Sequence, residues 1–406
     1  MAKTYLKLGL GALLVGPLAV ASCSTSSDNS GGSGTGADAS VEAAGGADGS
    51  SVDGGTSRDG GADTSVADAS DAETADAKLA DAAFDTETSA PLVPVGVIPP
   101  YVVAVWAQGT TTYFNPDSID SDGTHIWVGY QNKTTKDGSD GGPGFGPTSS
   151  IVEYTLDGKT VLTTIPVAGH VDGVRVDPVA KDIWVTTNED GNAHLFKIDH
   201  ATVTSTEYTL PNPLPHGGGL DDLGFVGGKM FIAASAPASD PNTAAALYSV
   251  TVSGQTATLT LALAGNASAT DVASDAGVTL NLLDPDSITI NGGRIVLASQ
   301  GDSRLVFVTN PGSAGQLVST LTVATQLDDT VWATAANGQL LVVDGKANTI
   351  YSMRKTGGFT ANDVYTQTPD DSTIPNIVGT LDLATGNVAP IAVGFKKATG
   401  LLFLAD

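Results

Sequence analysis

One unit recurs along this 406-residue chain, and its recurrence limits the fold more than any bulk property does. It is clearest from His170 to Asp199, HVDGVRVDPVAKDIWVTTNEDGNAHLFKID. Val174 and Val176 flank Arg175 in one alternating run, and Ile183, Trp184 and Val185 form a second. A polar hairpin, Asp177-Pro178 to Lys181-Asp182, separates them, and Asn188 to Asn192 turns the chain into Leu195-Phe196-Lys197-Ile198. Short β-branched and aromatic segments punctuated by Pro, Gly, Asn and Asp read as antiparallel strands.

The unit appears at least five times, each opening on an acidic turn. Pro116-Asp117-Ser118-Ile119 precedes His125-Ile126-Trp127-Val128, and Gly219-Leu220-Asp221-Asp222-Leu223 precedes Met230-Phe231-Ile232. Pro285-Asp286-Ser287-Ile288 precedes Ile295-Val296-Leu297, and Leu327-Asp328-Asp329-Thr330-Val331 precedes Leu340-Leu341-Val342-Val343. From Asp117 through Asp172, Asp222 and Asp286 to Asp329 the steps are 55, 50, 64 and 43 residues. A four-stranded period of ~40–50 residues with insertions describes a β-propeller blade. Nowhere does a helix-length amphipathic pattern support an alternating α/β fold.

A sixth unit is incomplete: the chain ends on Leu401-Leu402-Phe403-Leu404, and Tyr101 to Trp106 is a strand without an inner partner. Pairing these two strands closes the ring and removes its exposed edges. The expected fold is therefore all-β, a single propeller of six four-stranded blades closed by its N- and C-terminal strands. The segment from Tyr365 to Val393 is hard to assign and leaves five or seven open.

Upstream of the propeller, residues 1–23 read MAKTYLKLGLGALLVGPLAVASC. Lys3 and Lys7 precede a short apolar run, Leu8 to Leu18, which is too short for a membrane span and suits an export signal. Val20-Ala21-Ser22-Cys23 resembles a lipoprotein cleavage motif, which implies lipid attachment at Cys23 and a membrane as partner through that anchor. A plain secretory peptide with an incidental cysteine is the alternative. Ser24 resembles an outer-membrane address, so the expected location is the cell envelope, periplasmic or surface-facing. Cys23 is the only cysteine, so disulfides and thiol catalysis are excluded.

Residues 24–96 are almost wholly Ala, Asp, Gly, Ser and Thr, with fourteen acidic side chains against Arg58 and Lys78. So little apolar surface cannot offset the entropy of ordering, and a disordered tether is expected. A coil of ~70 residues reaches ~45 Å. Residues 97–406 hold thirty acidic against fourteen basic residues. That balance argues against nucleic acid and against docking on anionic lipid. It is compatible with cations or polar neutral ligands, although solubility alone also accounts for it.

The acid-turn start and IWV-like second strand resemble YncE-like and NHL-type propellers. GHVDGVRVDP, IWVTTNED, PHGGGLDDLGF and PDSITI with ASQGD are similar to a group of uncharacterised exported bacterial propellers. The resemblance covers nearly all of residues 97–406 and implies the fold while leaving the chemistry open, because such folds host binding modules, lactonases and lyases. Ala398-Thr399-Gly400 stands where these proteins often carry Pro-His-Gly, so any role for that histidine is absent.

In a propeller the turns entering the innermost strands share one face. Asp117, Asp172, Asp222, Asp286 and Asp329 are therefore expected around the channel mouth, with Asn132, Asn188, Glu189, Asp190, Asp240, Asp302 and Asp344 outside them. A ring of oxygens suits Ca²⁺ or another hard divalent cation, and the resemblance to lactonase-like propellers implies a metal in that position. The plainer reading is that each Asp accepts N–H bonds within its own turn. His170 and His216 precede acidic turns in neighbouring blades, where paired imidazoles can act as acid and base or simply bond to loop carbonyls. The Asp-Gly run Asp137 to Pro147 lacks the acid spacing of a calcium loop and reads as a rim loop. Two functions follow as expectations. One is a monomeric, anchored binding module taking a small molecule, glycan or protein on its acidic face. The alternative is a metal-dependent hydrolase or lyase, lactonase-like, acting at the channel mouth.

Overall fold

The computed structural model describes residues 96–139 and 142–406. Cys23, the export signal and nearly all of the expected tether lie outside them. The described residues are all-β, and their strands form six sheets, antiparallel but for one added strand in blade four. Each innermost strand packs beside the next around a closed ring. The first blade runs outward through Pro116–Ser121, His125–Tyr130, Thr148–Thr155 and Val161–Ala168. Blade two follows from Val171–Val176 to Ser205–Tyr208, and blade three from Gly219–Val226 to Thr256–Ala264.

Blade four adds a hairpin, Ser268–Asp271 with Gly277–Thr279, whose first strand lies parallel to Leu317–Thr322 on the outer edge. This insertion accounts for the 64-residue step. The inner hairpins follow from local chemistry: Asp122 accepts backbone N–H bonds from Thr124 (2.6 Å) and His125 (2.7 Å), and Gly123 supplies the positive φ that the turn requires.

The core is divided among the blade interfaces. Among the described residues, buried side chains form six clusters, and each joins two adjacent blades. Ile126 and Val128 pack toward Leu341 and Ile350 of the closing blade, whereas Trp127 between them packs toward Val174 and Val185 of blade two. Both faces of every blade are therefore covered. This is why the second strands read as continuous apolar runs where a half-buried strand would alternate.

Two expectations about the closure are corrected. Tyr101–Gln108 does not pair with the C-terminal strand: both lie in one sheet, on opposite edges, in the order Ala398–Ala405, Gly338–Asp344, Thr349–Lys355, Tyr101–Gln108 from inside outward. The fifth repeat also does not run continuously. Thr330–Trp332 pairs with Val364–Gln367, then come Ile377–Leu381 and Val388–Val393, so blade five takes its outer strands from the unassigned segment. The hairpin Gly338–Lys355, adjacent in sequence, crosses into the closing blade. Gly338–Asp344 is apolar on both faces, and its partner there, Ala398–Ala405, is an eight-residue strand, against three residues in Thr330–Trp332.

Candidate functional site

Four of the five acidic turns are β-bulges. Pro116 pairs with Tyr130 and Ile119 with Val128, so Asp117 and Ser118 together oppose one partner residue. The register slips likewise between Val171 and Gly173, Leu220 and Leu223, and Pro285 and Ile288. A bulge bends its strand and re-aims the side chain there. The result is a cavity of about 160 Å³ at the channel mouth, lined by Asp117, Asp172, Asp221, Asp286 and Asp328, with Glu189 and Asp284 beside them. In the closing blade the matching position is Thr399, also at a register slip.

Asp117, Asp172 and Asp286 thus line the mouth. Asp222 and Asp329 also border the cavity, one residue further along the chain, and their oxygens are engaged in holding blades together. Asp222 Oδ2 accepts from Ile288 N of the next blade (2.8 Å), and Asp329 Oδ2 from Leu401 N (3.0 Å). Ser118 Oγ does the same for Val174 N at 3.0 Å. Asp222 is also ion-paired with Arg175, and Asp329 lies 3.5 Å from the same guanidinium. Their sequence neighbours Asp221 and Asp328 occupy the positions equivalent to Asp117.

Burial sets the electrostatics of the mouth. It pushes Asp117 up to about 7, with Lys397 opposing, and Asp284 up to about 6, with Glu189 adding to the shift. Burial likewise raises Asp172, Asp221, Asp286 and Asp328 well above the usual carboxylate range, reinforced by neighbouring acids. Glu189 goes the other way: burial opposes ionisation, but the ion pair with Lys136 outweighs it. Lys136 comes from the long loop of blade one. That loop is tied across to blade two by Asp190 N donating to Lys136 O (3.2 Å) and Asn192 Nδ2 to Asp137 O (2.9 Å). Lys397 follows a backbone segment held by Asp344, which accepts from Lys396 N and Lys397 N at 2.9 Å each.

The two histidines are not brought into the mouth cavity. His216 bonds through Nε2 to Gly219 O (2.8 Å) and Ser235 O (3.0 Å), and through Nδ1 to Tyr248 Oη (3.1 Å). Burial lowers its pKa. His170 is held through Nδ1 by Thr134, and burial lowers it to about 4. Its Nε2 is buried without a hydrogen-bond partner, 3.8 Å from Asp172 Oδ1.

A search for acids alone passes over Lys136, Lys397 and Arg175, the three cations of the cavity wall. Only Arg175 carried a signal, as a charge inside an apolar alternating strand. The donor set of the mouth is oxygen throughout, which fits a hard cation, and Asp172 Oδ2 is a buried acceptor with no partner. Among the described residues no three His, Cys, Asp or Glu side chains already stand at ligating spacing, so a cation would have to gather them.

No protein-family model matches the sequence, and no curated protein does. Similar solved structures include a protein of unknown function from Desulfotomaculum acetoxidans, at 9% identity, covering 72% of this chain and 90% of that one, TM-score 0.42. A putative gluconolactonase is 9% identical over 76% of this chain and 87% of its own, TM-score 0.43. The periplasmic gluconolactonase of Pseudomonas aeruginosa is 11% identical over 71% and 88%, TM-score 0.40. At these identities nothing about the site transfers.

Proposed function

We propose that this chain is an exported propeller-type binding module of the YncE-like and NHL-type kind, whose acidic channel mouth takes a hard divalent cation or a ligand presenting positive charge. The observation that carries this reading is Asp172 Oδ2, buried without a partner among carboxylates whose ionisation the site itself opposes. A buried carboxylate of this kind is relieved either by a proton or by a cation. Asp117, Asp172, Asp221, Asp286 and Asp328 would hold the ion, which would supply charge neutralisation and a Lewis-acidic centre. Attachment at Cys23 and a place in the cell envelope belong to the same proposal.

A lactonase-like hydrolase is the second reading. Its support is that Asp117 and Asp284 are pushed to about 7 and about 6 in the cavity wall, the range in which a carboxylate can serve as a general base near neutral pH.

Calorimetric titration of Ca²⁺ and Mg²⁺ into the full chain tests the first reading. One ion is expected to bind, and the Asp172→Asn/Asp286→Asn double variant is expected to lose that heat while keeping its fold by circular dichroism. Absence of heat and of any thermal shift in the parent chain refutes it. Turnover of a simple δ-lactone, lost in Asp117→Asn, would move the conclusion to the enzyme. Mass spectrometry of the mature N-terminus checks Cys23: an unmodified cysteine removes the anchor.

A further inference from the structure

The central channel opens a second time, on the face opposite the acidic mouth. Beyond the Arg175 guanidinium lies a funnel of about 360 Å³, within the size range of small-molecule sites. Its wall is apolar, formed by Ile119, Leu223, Phe225, Ile288, Ile290 and Leu401 at successive inner strands. Its closed end is polar and carries more negative than positive charge. Arg175 is the only cation lining it, with Asp329 and Asp120 in the same wall and Asp222 directly behind.

That guanidinium is poorly placed to receive an anion. Nη1 donates to Ser118 Oγ (3.2 Å), Ile119 O (3.3 Å) and Val174 O (3.1 Å), while Nη2 is taken by Asp222 and Ile288 O. An incoming carboxylate would meet committed donors and three acids. Both oxygens of Asp120 are likewise engaged, by Val176 N (2.8 Å) and Ser121 N (2.7 Å). Asp329 differs. Its Oδ2 accepts from Leu401 N, whereas Oδ1 has no hydrogen bond and only the Arg175 guanidinium at 3.5 Å, in a residue 3% exposed that borders the funnel as well as the mouth. A buried acceptor left unsatisfied costs about 1–3 kcal/mol, and a donor entering from the funnel would recover it.

We infer that this funnel is a second binding site, for a small hydrophobic ammonium ion whose apolar body fills the wall and whose N–H group donates to Asp329. The apolar wall selects for the body, and the excess of acids over Arg175 selects for the charge. The funnel meets the mouth at Arg175 and Asp329, which border both cavities, but its apolar wall is its own and it needs no cation at the mouth.

Isothermal titration of the full chain with 2-phenylethylammonium, 2-phenylethanol and 3-phenylpropanoate tests it. At about pH 8.5 the ammonium keeps its proton. The ammonium is expected to bind about tenfold more tightly than the alcohol, the margin of a charge-assisted hydrogen bond, and the carboxylate not at all. Ile290, at the funnel rim and 38% exposed, allows a blocking variant: Ile290→Trp should abolish binding without touching Arg175. If that variant does not fold, Leu402→Trp on the same wall carries the same expectation. Asp172→Asn, at the mouth, should leave the affinity within about twofold. Equal binding of alcohol and ammonium overturns the proposal, as does binding that survives the blocked funnel or is lost with the mouth variant.

Discussion

Arg175 reaches five of the six blades from its place on the inner strand of blade two, through Ser118 and Ile119, its own Val174, Asp222, Ile288 and Asp329. Burial disfavours its charge, but the acids around it hold the guanidinium firmly protonated. Replacing it with Met would leave Asp222 and Asp329 buried without their cation. A loss of about 3–5 kcal/mol is expected, read as a lower midpoint in guanidinium unfolding. A change under about 1 kcal/mol would mean that the carboxylates take up protons instead. This residue also explains one limit of the sequence. In Leu220-Asp221-Asp222-Leu223 and Leu327-Asp328-Asp329-Thr330 two adjacent acids compete for one position, and spacing alone does not choose between them. The choice is made by what lies across the channel, namely Arg175 and the next blade's N–H groups. Gly173 shows how tightly the next blade approaches: a Cβ there would sit 2.9 Å from Asp222 Cα and 3.0 Å from Asp221 O.

At the scale of the strand, the repeats were legible wherever partners are neighbours in sequence, as in blades one to four. The acidic turns at Asp117, Asp172 and Asp286 mark where the inner strands Pro116–Ser121, Val171–Val176 and Pro285–Asn291 begin. Legibility ended where the hairpin Gly338–Lys355 leaves blade five, because apolar strands such as Leu340 to Val343 suit either blade equally. The pairing is decided by strand length and by which edge lies open. Each edge of that hairpin is covered by a terminal strand, Ala398–Ala405 within and Tyr101–Gln108 without. The two contributions are unequal. Ala398, Leu401 and Phe403 are buried in the core, whereas the outer strand exposes Val102 at 56%. Ending the chain after Lys397 should therefore abolish the cooperative thermal transition, while deleting Tyr101–Gln108 should lower the melting temperature and preserve cooperativity. Equal effects of the two deletions would contradict this account.

For the molecule as a whole, the mouth makes stability depend on pH. Asp117 rises from 3.8 to about 7 on folding, so between those values the native state binds more protons than the unfolded chain and stability falls as pH rises. The contribution is fully present below about pH 4 and lost through pH 7. A melting temperature several degrees lower at pH 8 than at pH 5 is expected, with Ca²⁺ restoring part of it at pH 8 by mass action. A flat profile from pH 5 to 8 would show that the carboxyls remain hydrated.

The shared final blade has a consequence for how such a chain comes into being. A ribosome releases the residues of the inner blades long before it makes Ala398–Ala405. Until then blade one lacks half of the interface that buries Ile126 and Val128. Distant partners of this kind slow folding and prolong exposure of sticky surface. The wheel is therefore assembled only when its first and last segments meet, and the interval before they meet is when holdase chaperones have most to protect.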